Sequence, residues 1–321
     1  METTAAPASP PLLVLKIDVD TYRGTREGVP NLVRMLGSHG AGATFLFSLG
    51  PDHTGWAMRR ALRPGFFKKV SRTSVVEHYG VKTLMYGVLL PGPDIGARTA
   101  TEMRAVREAG FEVGIHTWDH VVWQDNVARR DAAWTDRIMA RSEQRHAQVF
   151  GQAPHTHGAA GWQMNAHAFE RHDRMGYRYA SDGRALLNDD GSLLDPKAGP
   201  YRLQGLQHIQ MPTTLPTLDE LLGREIGGQT ITEANIAEHL LKLTADNRRD
   251  HVYTLHAELE GQKLAPIFER LLSGWKAQGY QLASMADYYE KIKHVSLPVY
   301  PLQWGEVPGR SGELIVLDTT T

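Results

Sequence analysis

The residues best suited to chemistry are two histidines four positions apart and two aspartates two positions apart. His116 and His120 follow an apolar run that ends at Ile115. If the chain turns into a helix there, the i, i+4 spacing places both imidazoles on one face, where they can bind one metal ion. Asp18 and Asp20 follow another apolar run, so one can be a ligand while the other stays free. A chain with 15 His contains some such pairs by chance, and the acidic pair is what favours a metal site.

One carboxylate and two imidazoles suit a catalytic divalent ion, because they leave coordination positions open for water and substrate. Zinc, cobalt and manganese all fit this donor set, and the sequence leaves the metal's identity open. Such an ion lowers the pKa of bound water and polarises a carbonyl oxygen. The free aspartate can act as a base, and His256, after a further apolar run, can protonate a leaving amine. The pattern predicts amide hydrolysis; the alternatives are loop-capping aspartates and a strand-end histidine.

Apolar runs alternate with segments of helical periodicity along most of the chain, which predicts a parallel sheet with helical crossovers. The predicted strands cover 12–17, 43–48, 111–115, 177–181, 206–211, 251–255 and 280–283, and the helices cover 26–39, 95–109, 134–150, 165–175, 233–244 and 285–292. Barrels and open doubly wound sheets both bind ligands at the carboxyl ends of their strands. We expect a β/α barrel, because at least four strands contribute candidate residues and a closed sheet brings them together.

Composition limits the classes of function. The chain has 321 residues, a formal net charge of -1 and no cysteine, which excludes disulfides and thiol chemistry and gives no reason to expect nucleic-acid binding. We expect a disordered tail over 1–11, one catalytic domain over 12–292 and an extension over 293–321. Neither a secretory signal nor an apolar run of about 18 residues is present, so we expect a soluble or peripheral protein. The sequence leaves the oligomeric state open.

The motifs around these residues resemble those of the polysaccharide deacetylase family, also called the NodB-homology family. The matching segments, in the family's order and spacing, are Asp18–Asp20, His116–His120 and Leu255–His256. The resemblance implies a distorted β/α barrel and metal-dependent removal of acyl groups from sugar nitrogens. It also implies a base, three metal ligands and an acid, which are in that order Asp18; Asp20, His116 and His120; and His256.

Further segments are similar to a branch of this family that removes a formyl group from an aminoarabinose carried on undecaprenyl phosphate. They are Ile17–Pro30, Ser48–Asp52, Ala159–Trp162, Ser181–Arg184, Leu215–Glu220 and His256–Gly261. This likeness spans about 12–292 and implies a peripheral position at the cytoplasmic face of the inner membrane and a role in lipid A modification. An N-deacetylase of another amino sugar and an inactive barrel that binds a sugar-lipid remain as alternatives.

The chain departs from the broad family pattern at one motif. Ala159–Trp162 replaces the family's Arg-x-Pro-x-Gly, so the arginine that steadies the base is missing, and Arg184 is a candidate substitute. Arg23 and Arg26 are candidates for the substrate phosphate, with structural ion pairs as the alternative.

Glu258 and Glu260 could recognise the sugar amine or orient His256, or lie in a solvated loop. The remaining expected substrate contacts are Gly161, Trp162, Tyr179, Asp182 and Arg184. His157 and His172 are expected to lie outside the ligand set, His157 exposed or beside the site and His172 on the surface.

An insertion over 55–92 interrupts the barrel pattern. It carries seven basic residues and one acid, Glu77, interleaved with aromatic and aliphatic residues. A basic amphipathic segment of this kind is typical of a membrane interface, where each Lys or Arg contributes about 1 kcal/mol near an anionic surface. The alternative is a helical hairpin packed over the barrel with a solvated basic face. The expected membrane contacts are Trp56, Phe66, Phe67, Lys68 and Lys69.

Overall fold

The computed structural model describes residues 9–57, 80–310 and 312–319. The strands in these ranges are β1 (Leu12–Val19), β2 (Thr44–Ser48), β3 (Glu112–Thr117), β4 (Tyr179–Ala180), β5 (Arg184–Ala185), β6 (Tyr201–Leu203), β7 (Ile209–Gln210), β8 (Glu225–Ile226), β9 (Gln229–Thr230), β10 (His251–His256), β11 (Gln281–Ala283), β12 (Val299–Tyr300), β13 (Gln303–Gly305) and β14 (Leu314–Leu317). The α-helices are α1 (Val29–His39), α2 (Val81–Met85), α3 (Ile95–Arg98), α4 (Ala100–Glu108), α5 (His120–Asn126), α6 (Ala132–Phe150), α7 (Ala166–Arg174), α8 (Leu218–Leu221), α9 (Ile236–Asp246), α10 (Ala265–Ala277) and α11 (Met285–Ile292).

The main sheet has the order β10-β1-β2-β3, and each of these pairs is parallel. Beyond β3, Ile115 pairs in parallel with His157, whose carbonyl oxygen accepts a hydrogen bond from Ser181 N at 2.8 Å. β4 then pairs with β7, and Thr214 N donates to Val252 O on β10 at 3.0 Å. The ring closes through short and irregular segments, which confirms the predicted distorted β/α barrel.

Strand β1 lies at the centre of the sheet because it has neighbours on both edges. It pairs with β10 on one edge and with β2 and β11 on the other, and all eight of its residues are buried. Leu13, Leu15 and Ile17 pack in the largest apolar core. Since side chains alternate along a strand, Lys16 and Asp18 lie on the opposite face. Two charged residues are therefore fixed inside the barrel.

The predicted elements are present, with differences at their ends. The helix predicted over 26–39 begins at Val29 after a π-helix over Gly24–Gly28, and the one predicted over 95–109 is two helices that meet at Thr99. The strands predicted over 177–181 and 206–211 shorten to two residues each. Of the predicted disordered tail, residues 1–8 lie outside the described ranges, and Pro11 O already accepts a hydrogen bond from Gln281 N at 3.0 Å.

The segment after α11 packs on the barrel, which the sequence left open for 293–321. The four residues of β14 are buried and pair in parallel with β5. They join an apolar core that also contains Trp162 and Phe169. None of the helices in the described ranges is both long and apolar enough to cross a bilayer.

A buried ion pair joins β5 to the capping box of α8. Both Arg184 and Glu220 have fully buried side chains, and they form two hydrogen bonds of 2.6 and 3.0 Å. Arg310 from the C-terminal segment donates to Glu220 Oε1 at 2.6 Å. Burial disfavours the charged carboxylate, but Arg184 and Arg310 outweigh it and lower the pKa of Glu220. Removing one partner from such a pair leaves an uncompensated buried charge.

We expect Glu220→Gln to lower the free energy of unfolding by about 3–5 kcal/mol, because Arg184 would lose its buried counter-charge. The measurement is urea denaturation at pH 7. Glu290→Gln is the matched control, since Glu290 pairs with Lys293 on the surface and exposed pairs contribute about 1 kcal/mol or less. Because the pKa of Glu220 is depressed in the folded state, the stabilisation is present above the ordinary value of 4.5 and is lost as the pH falls further. Equal destabilisation by both substitutions would contradict this account.

Candidate metal centre and active site

Three side chains converge at the carboxyl ends of β1 and β3. Asp20 follows β1, His116 lies on β3, and His120 is the first residue of α5. One candidate ligand atom from each lies within 4.8 Å of the other two. Asp20 Oδ1 is 3.2 Å from His116 Nε2, and Asp20 Oδ2 is 3.5 Å from His120 Nε2. The structure therefore brings the three predicted ligands together.

The way in which the two histidines meet differs from the prediction of a shared helix face. His116 belongs to a strand, and Asp119 caps α5 by accepting a hydrogen bond from Val122 N at 3.1 Å. The ring centroids of His116 and His120 are 5.3 Å apart. The strand-to-helix turn over 117–119, rather than one turn of helix, brings the two imidazoles side by side. The spacing was informative, but the helical reason for it was wrong.

The residues present fit a divalent cation. Asp20 Oδ1 and His116 Nε2 are buried and have no hydrogen-bond partner, although such atoms are costly to leave unpaired. His116 Nδ1 lies 2.6 Å from Gly158 O, so this nitrogen carries the proton and donates it. That hydrogen bond leaves Nε2 with a lone pair directed at the cluster, as is usual for a metal-binding histidine.

Electrostatics within the cluster also favour an anionic carboxylate beside a cation. Burial acts against the charge of Asp20, but attraction to His120 and His116 outweighs it and holds the pKa of Asp20 well below its usual range. Burial likewise disfavours a charged His116, whereas Asp18 and Asp20 favour it and raise its pKa. A bound divalent ion would supply the positive charge that these carboxylates otherwise draw from the imidazoles.

Lys16 is the residue that sequence reasoning missed beside the candidate base. Its Nζ lies 2.7 Å from Asp18 Oδ2, and both side chains are buried. Asp18 Oδ1 is buried, has no hydrogen-bond partner and lies 3.6 Å from His116 Nδ1. A lysine in a fully buried strand is rare unless it is paired, and the i, i+2 spacing puts it on the same face as Asp18. A lysine in an apolar strand two residues before an aspartate could therefore have indicated this ion pair from the sequence.

Lys16, and not Arg184, is therefore the cation that pairs with Asp18. Arg184 is committed to Glu220 by two hydrogen bonds. Both cations contact the same ring: Lys16 Nζ is 5.4 Å and Arg184 Cζ is 4.6 Å from the centroid of Trp162. Trp162 has a φ of 53°, which is strained for a bulky residue, and Gly161 before it has a φ of 60°. The Ala159–Trp162 segment thus places an aromatic ring under the base's cation.

His256 lies directly beside Asp18 in the β1–β10 register. It is partly buried, and its Nδ1 has no hydrogen-bond partner. Glu260 accepts hydrogen bonds from His256 N at 2.9 Å and from the Tyr253 hydroxyl at 3.1 Å, so its carboxylate fixes the backbone of His256. Burial raises the pKa of Glu260 to about 7. The expected contact between Glu260 and the sugar amine is not supported, because the side chain is fully buried.

Glu258 also differs from the expectation of a substrate contact. Its Oε1 accepts hydrogen bonds from Asp20 N at 3.1 Å and from both Thr21 N and Thr21 Oγ1 at 2.8 Å. Burial and the nearby charge of Asp20 raise its pKa well above the usual range. The carboxyl group thus shapes the loop that carries the metal-ligand candidate Asp20. A sequence cannot show that an acid beside His256 turns towards backbone amides 237 residues away.

Other predicted substrate contacts are likewise buried among protein groups. The Tyr179 hydroxyl donates to Glu112, and Asp182 contacts His157 and Gln210 at 2.6 and 2.9 Å. Trp162 is only 1% exposed. Each of these polar side chains is paired with another protein side chain, which local sequence does not reveal. The structure therefore does not support substrate contact by Tyr179, Asp182 or Trp162. Gly161 makes a close approach to Gln124, where an added Cβ would lie 2.4 Å from its amide.

Arg23 and Arg26 keep positions suited to a ligand. Arg26 has a 55% exposed side chain, lies 3.6 Å from Glu102 and donates to the Tyr22 hydroxyl at 3.2 Å. Arg23 is one-third exposed and donates to Glu27 at 2.8 Å. Both arginines lie in the segment that follows Asp20, so they remain candidates for binding a phosphate.

The insertion begins beside the candidate metal centre. His53 Nδ1 contacts Asp119 Oδ2 at 2.5 Å, and the Trp56 ring stacks on His53 with centroids 4.1 Å apart. Of the expected membrane contacts, Phe66, Phe67, Lys68 and Lys69 lie outside the described residues, and Trp56 is partly buried. The return segment exposes apolar side chains, with Val81 63%, Val88 55% and Leu89 73% exposed.

This chain is similar to known proteins in sequence and in fold. The polysaccharide deacetylase family model matches residues 7–180. A Shewanella sediminis (strain HAW-EB3) protein named "Probable 4-deoxy-4-formamido-L-arabinose-phosphoundecaprenol deformylase ArnD" is 34% identical over 300 residues, which are 94% of this chain and 92% of that protein. A Wigglesworthia glossinidia brevipalpis protein of the same name is 30% identical over 298 residues, covering 90% of this chain and 96% of its own.

Among solved structures, one from Mycobacterium smegmatis assigned to the polysaccharide deacetylases superposes with a TM-score of 0.59. It shares 17% identity and covers 94% of this chain and 99% of its own, which supports the fold alone. The matched family model spans four of the five candidate active-site residues, Asp18, Asp20, His116 and His120, and ends before His256. The chain is a member of the polysaccharide deacetylase family.

Proposed function

We propose that this protein hydrolyses the formamide of 4-deoxy-4-formamido-L-arabinose carried on undecaprenyl phosphate, releasing formate and the free amine. The observation that carries the proposal is the cluster of Asp20, His116 and His120 beside Asp18, with His256 in register across β1 and β10. The two relatives that bear the deformylase name support this substrate, since they match the chain over at least nine-tenths of its length.

Asp20, His116 and His120 would hold one divalent cation. When bound, that ion would polarise the formyl oxygen and lower the pKa of a water molecule. Zinc, cobalt and manganese all suit a donor set of two imidazoles and one carboxylate. The ligand geometry is maintained by Gly158 O, which orients His116, and by Glu258, which fixes the backbone of Asp20.

Asp18 would act as the general base. Lys16 holds Oδ2, so Oδ1 is the oxygen left to accept a proton from the attacking water. His256, on the neighbouring strand, would then give a proton to the departing sugar nitrogen. Water thus adds its oxygen to the formyl carbon, the C–N bond breaks, and the amine leaves protonated.

The substrate's phosphate and lipid require a second set of contacts. Arg23 and Arg26 extend from the segment after Asp20 and are suited to the phosphate. Val88 and Leu89 are exposed in the C-terminal part of the insertion. His53, just before the insertion begins, contacts Asp119 in the turn before His120. We infer that this side of the barrel rests on the anionic cytoplasmic face of the inner membrane, where an undecaprenyl chain stays in the bilayer while its sugar reaches the site.

The reaction is tested with the formamido sugar on a prenyl phosphate and with its N-acetyl analogue, measuring released formate and acetate. We expect formate release that a chelator abolishes and that added Zn²⁺, Co²⁺ or Mn²⁺ restores. Asp20→Ala and His116→Ala should lower kcat/KM by about 10³-fold, since metal activation contributes several kcal/mol to transition-state stabilisation.

His155→Ala is the matched control, because His155 is exposed, and it should keep normal activity. Preferential release of acetate would replace the deformylase by an N-deacetylase of the same mechanism. Loss of neither product with chelator, or full metal content in both Asp20→Ala and His116→Ala, would show that the ligand set is wrong.

Lys16 gives a separate prediction about positioning. Lys16→Met should lower kcat by about 10²-fold, with a smaller change in KM, because Asp18 would lose the cation that holds its carboxylate in place. Lys16→Arg, which keeps the charge, is the matched variant and should recover most of the lost kcat. Equal loss of kcat in Lys16→Met and Lys16→Arg would leave Lys16 with a packing role only.

Membrane contact is tested by sedimentation with vesicles of anionic and neutral lipid. We expect the wild type to bind anionic vesicles at low salt, and Val88→Ser with Leu89→Ser to reduce binding several-fold because these exposed apolar side chains would no longer insert. Phe66→Ser with Phe67→Ser should act in the same direction. Leu194→Ser is the control, since Leu194 is 50% exposed but lies far from the insertion in sequence. Equal partition of all four proteins onto the vesicles would contradict the proposed membrane contact.

A further inference from the structure

A second group of metal-binding residues lies inside the barrel wall, apart from the residues assigned to catalysis. His157 extends the sheet beside β3, His172 lies on α7, and Asp182 follows β4. One candidate ligand atom from each is within 4.8 Å of the other two, and all three side chains are buried. The sequence predicts His157 and His172 outside any ligand set and His172 on the surface, and the surface prediction is wrong because His172 is fully buried.

The carboxylate of Asp182 lacks a fixed cation. Its ion-pair partners among the described residues are the two histidines, with His157 Nδ1 at 2.6 Å and His172 Nδ1 at 3.5 Å. Gln210 donates to the second oxygen at 2.9 Å, but it is neutral. A fully buried carboxylate without a lysine or arginine calls for another positive charge.

His172 is the second, independent sign of a ligand. Its side chain is fully buried, and neither ring nitrogen has a hydrogen-bond partner in the described part of the chain. Buried imidazole nitrogens are almost always paired. Its Nδ1 is 3.5 Å from Asp182 Oδ2, and His157 Nδ1 is 2.6 Å from Asp182 Oδ1, so both rings place a nitrogen atom beside the same carboxylate. Their centroids are 4.7 Å apart.

The surroundings are suited to holding such an ion. A small cavity on the other side of His157, also lined by Tyr177, has room for about one water molecule, and His172 and Asp182 do not line it. His208, whose ring centroid is 5.3 Å from that of His172, also has a buried and unpaired Nε2. Its Nδ1 contacts Asp173 Oδ1 at 2.6 Å, the carboxylate–imidazole arrangement that leaves the other nitrogen free to bind.

We propose that His157, His172 and Asp182 form a second metal site, which binds a divalent transition ion of the zinc class. Two imidazoles and one carboxylate are ordinary zinc ligands, and a water molecule would complete the coordination. Binding replaces the proton shared between His157 Nδ1 and Asp182, which leaves for the ring's other nitrogen or for solvent. The burial of all three ligands makes the role of this ion structural.

The site has a direct connection to the candidate catalytic centre. Gly158 follows His157 in the chain, and its carbonyl oxygen accepts the hydrogen bond that orients His116. Trp123 on α5 contacts the His157 ring, with centroids 6.3 Å apart. An ion that fixes His157 therefore fixes one of the groups that aims His116, which links the structural ion to the geometry of the first site.

The experiment measures zinc per chain in the full-length protein by plasma mass spectrometry, after loading with Zn²⁺ and removal of excess ion on a desalting column. We expect two ions in the wild type and one in the Asp20→Ala, His116→Ala double variant, which lacks the first site. His172→Phe keeps the ring shape but removes both nitrogens, and it should also bind one ion. Combining all three substitutions should leave none.

His146→Phe is the matched control, because His146 is another buried histidine with an unpaired Nε2 outside the cluster, and it should retain two ions. The double variant alone decides the matter if His172→Phe fails to fold: one ion retained supports the second site, and none overturns it. Cobalt loaded into that double variant should show the visible absorption of a site with nitrogen ligands. Wild type with two ions and folded His172→Phe with two ions would equally overturn the assignment. Because neither readout is activity, failure here leaves the proposed hydrolysis untouched.

Discussion

The buried pair of Lys16 and Asp18 is the constraint on which the candidate active site depends. Both residues sit on a strand whose eight residues are all buried and whose two edges are both paired. Neither side chain can move to water, so each requires the other as its counter-charge. The same alternation that aligns Lys16 with Asp18 continues to Asp20, which brings base and metal-ligand candidate to one face of the chain.

Other buried aromatic and charged residues pack around that pair and support it. Trp162, held at positive φ, packs its ring against Lys16, Arg184 and Arg310. Arg184 and Arg310 in turn are neutralised by Glu220, so the C-terminal segment contributes to the support of the base. The Ala159–Trp162 segment lacks the arginine that the family resemblance implies, and Lys16, two residues before Asp18 on the same strand, is the buried counter-charge of Asp18.

Acidic residues close to the site divide into two roles. Asp18 and Asp20 keep one oxygen each without a hydrogen bond, which is what a base and a ligand require. Glu258 and Glu260 instead use their oxygens to accept backbone hydrogen bonds from the loops that carry Asp20 and His256. Both types are buried, so burial alone does not identify a functional carboxylate. The presence or absence of local donors separates them.

The sequence by itself determined the alternation of strands and helices, the barrel class and the five residues that meet at the strand ends, because periodicity and strand ends are local properties of the chain. It did not determine which charged residues pair inside the barrel. Arg184, Asp182, Glu258 and Glu260 looked like substrate contacts, yet each is buried against a partner. For Glu258 that partner is 237 positions away in the chain. Only the closed sheet decides such pairings, because it determines which side chains from distant segments are buried next to each other. A buried charge away from water is stable only beside a partner.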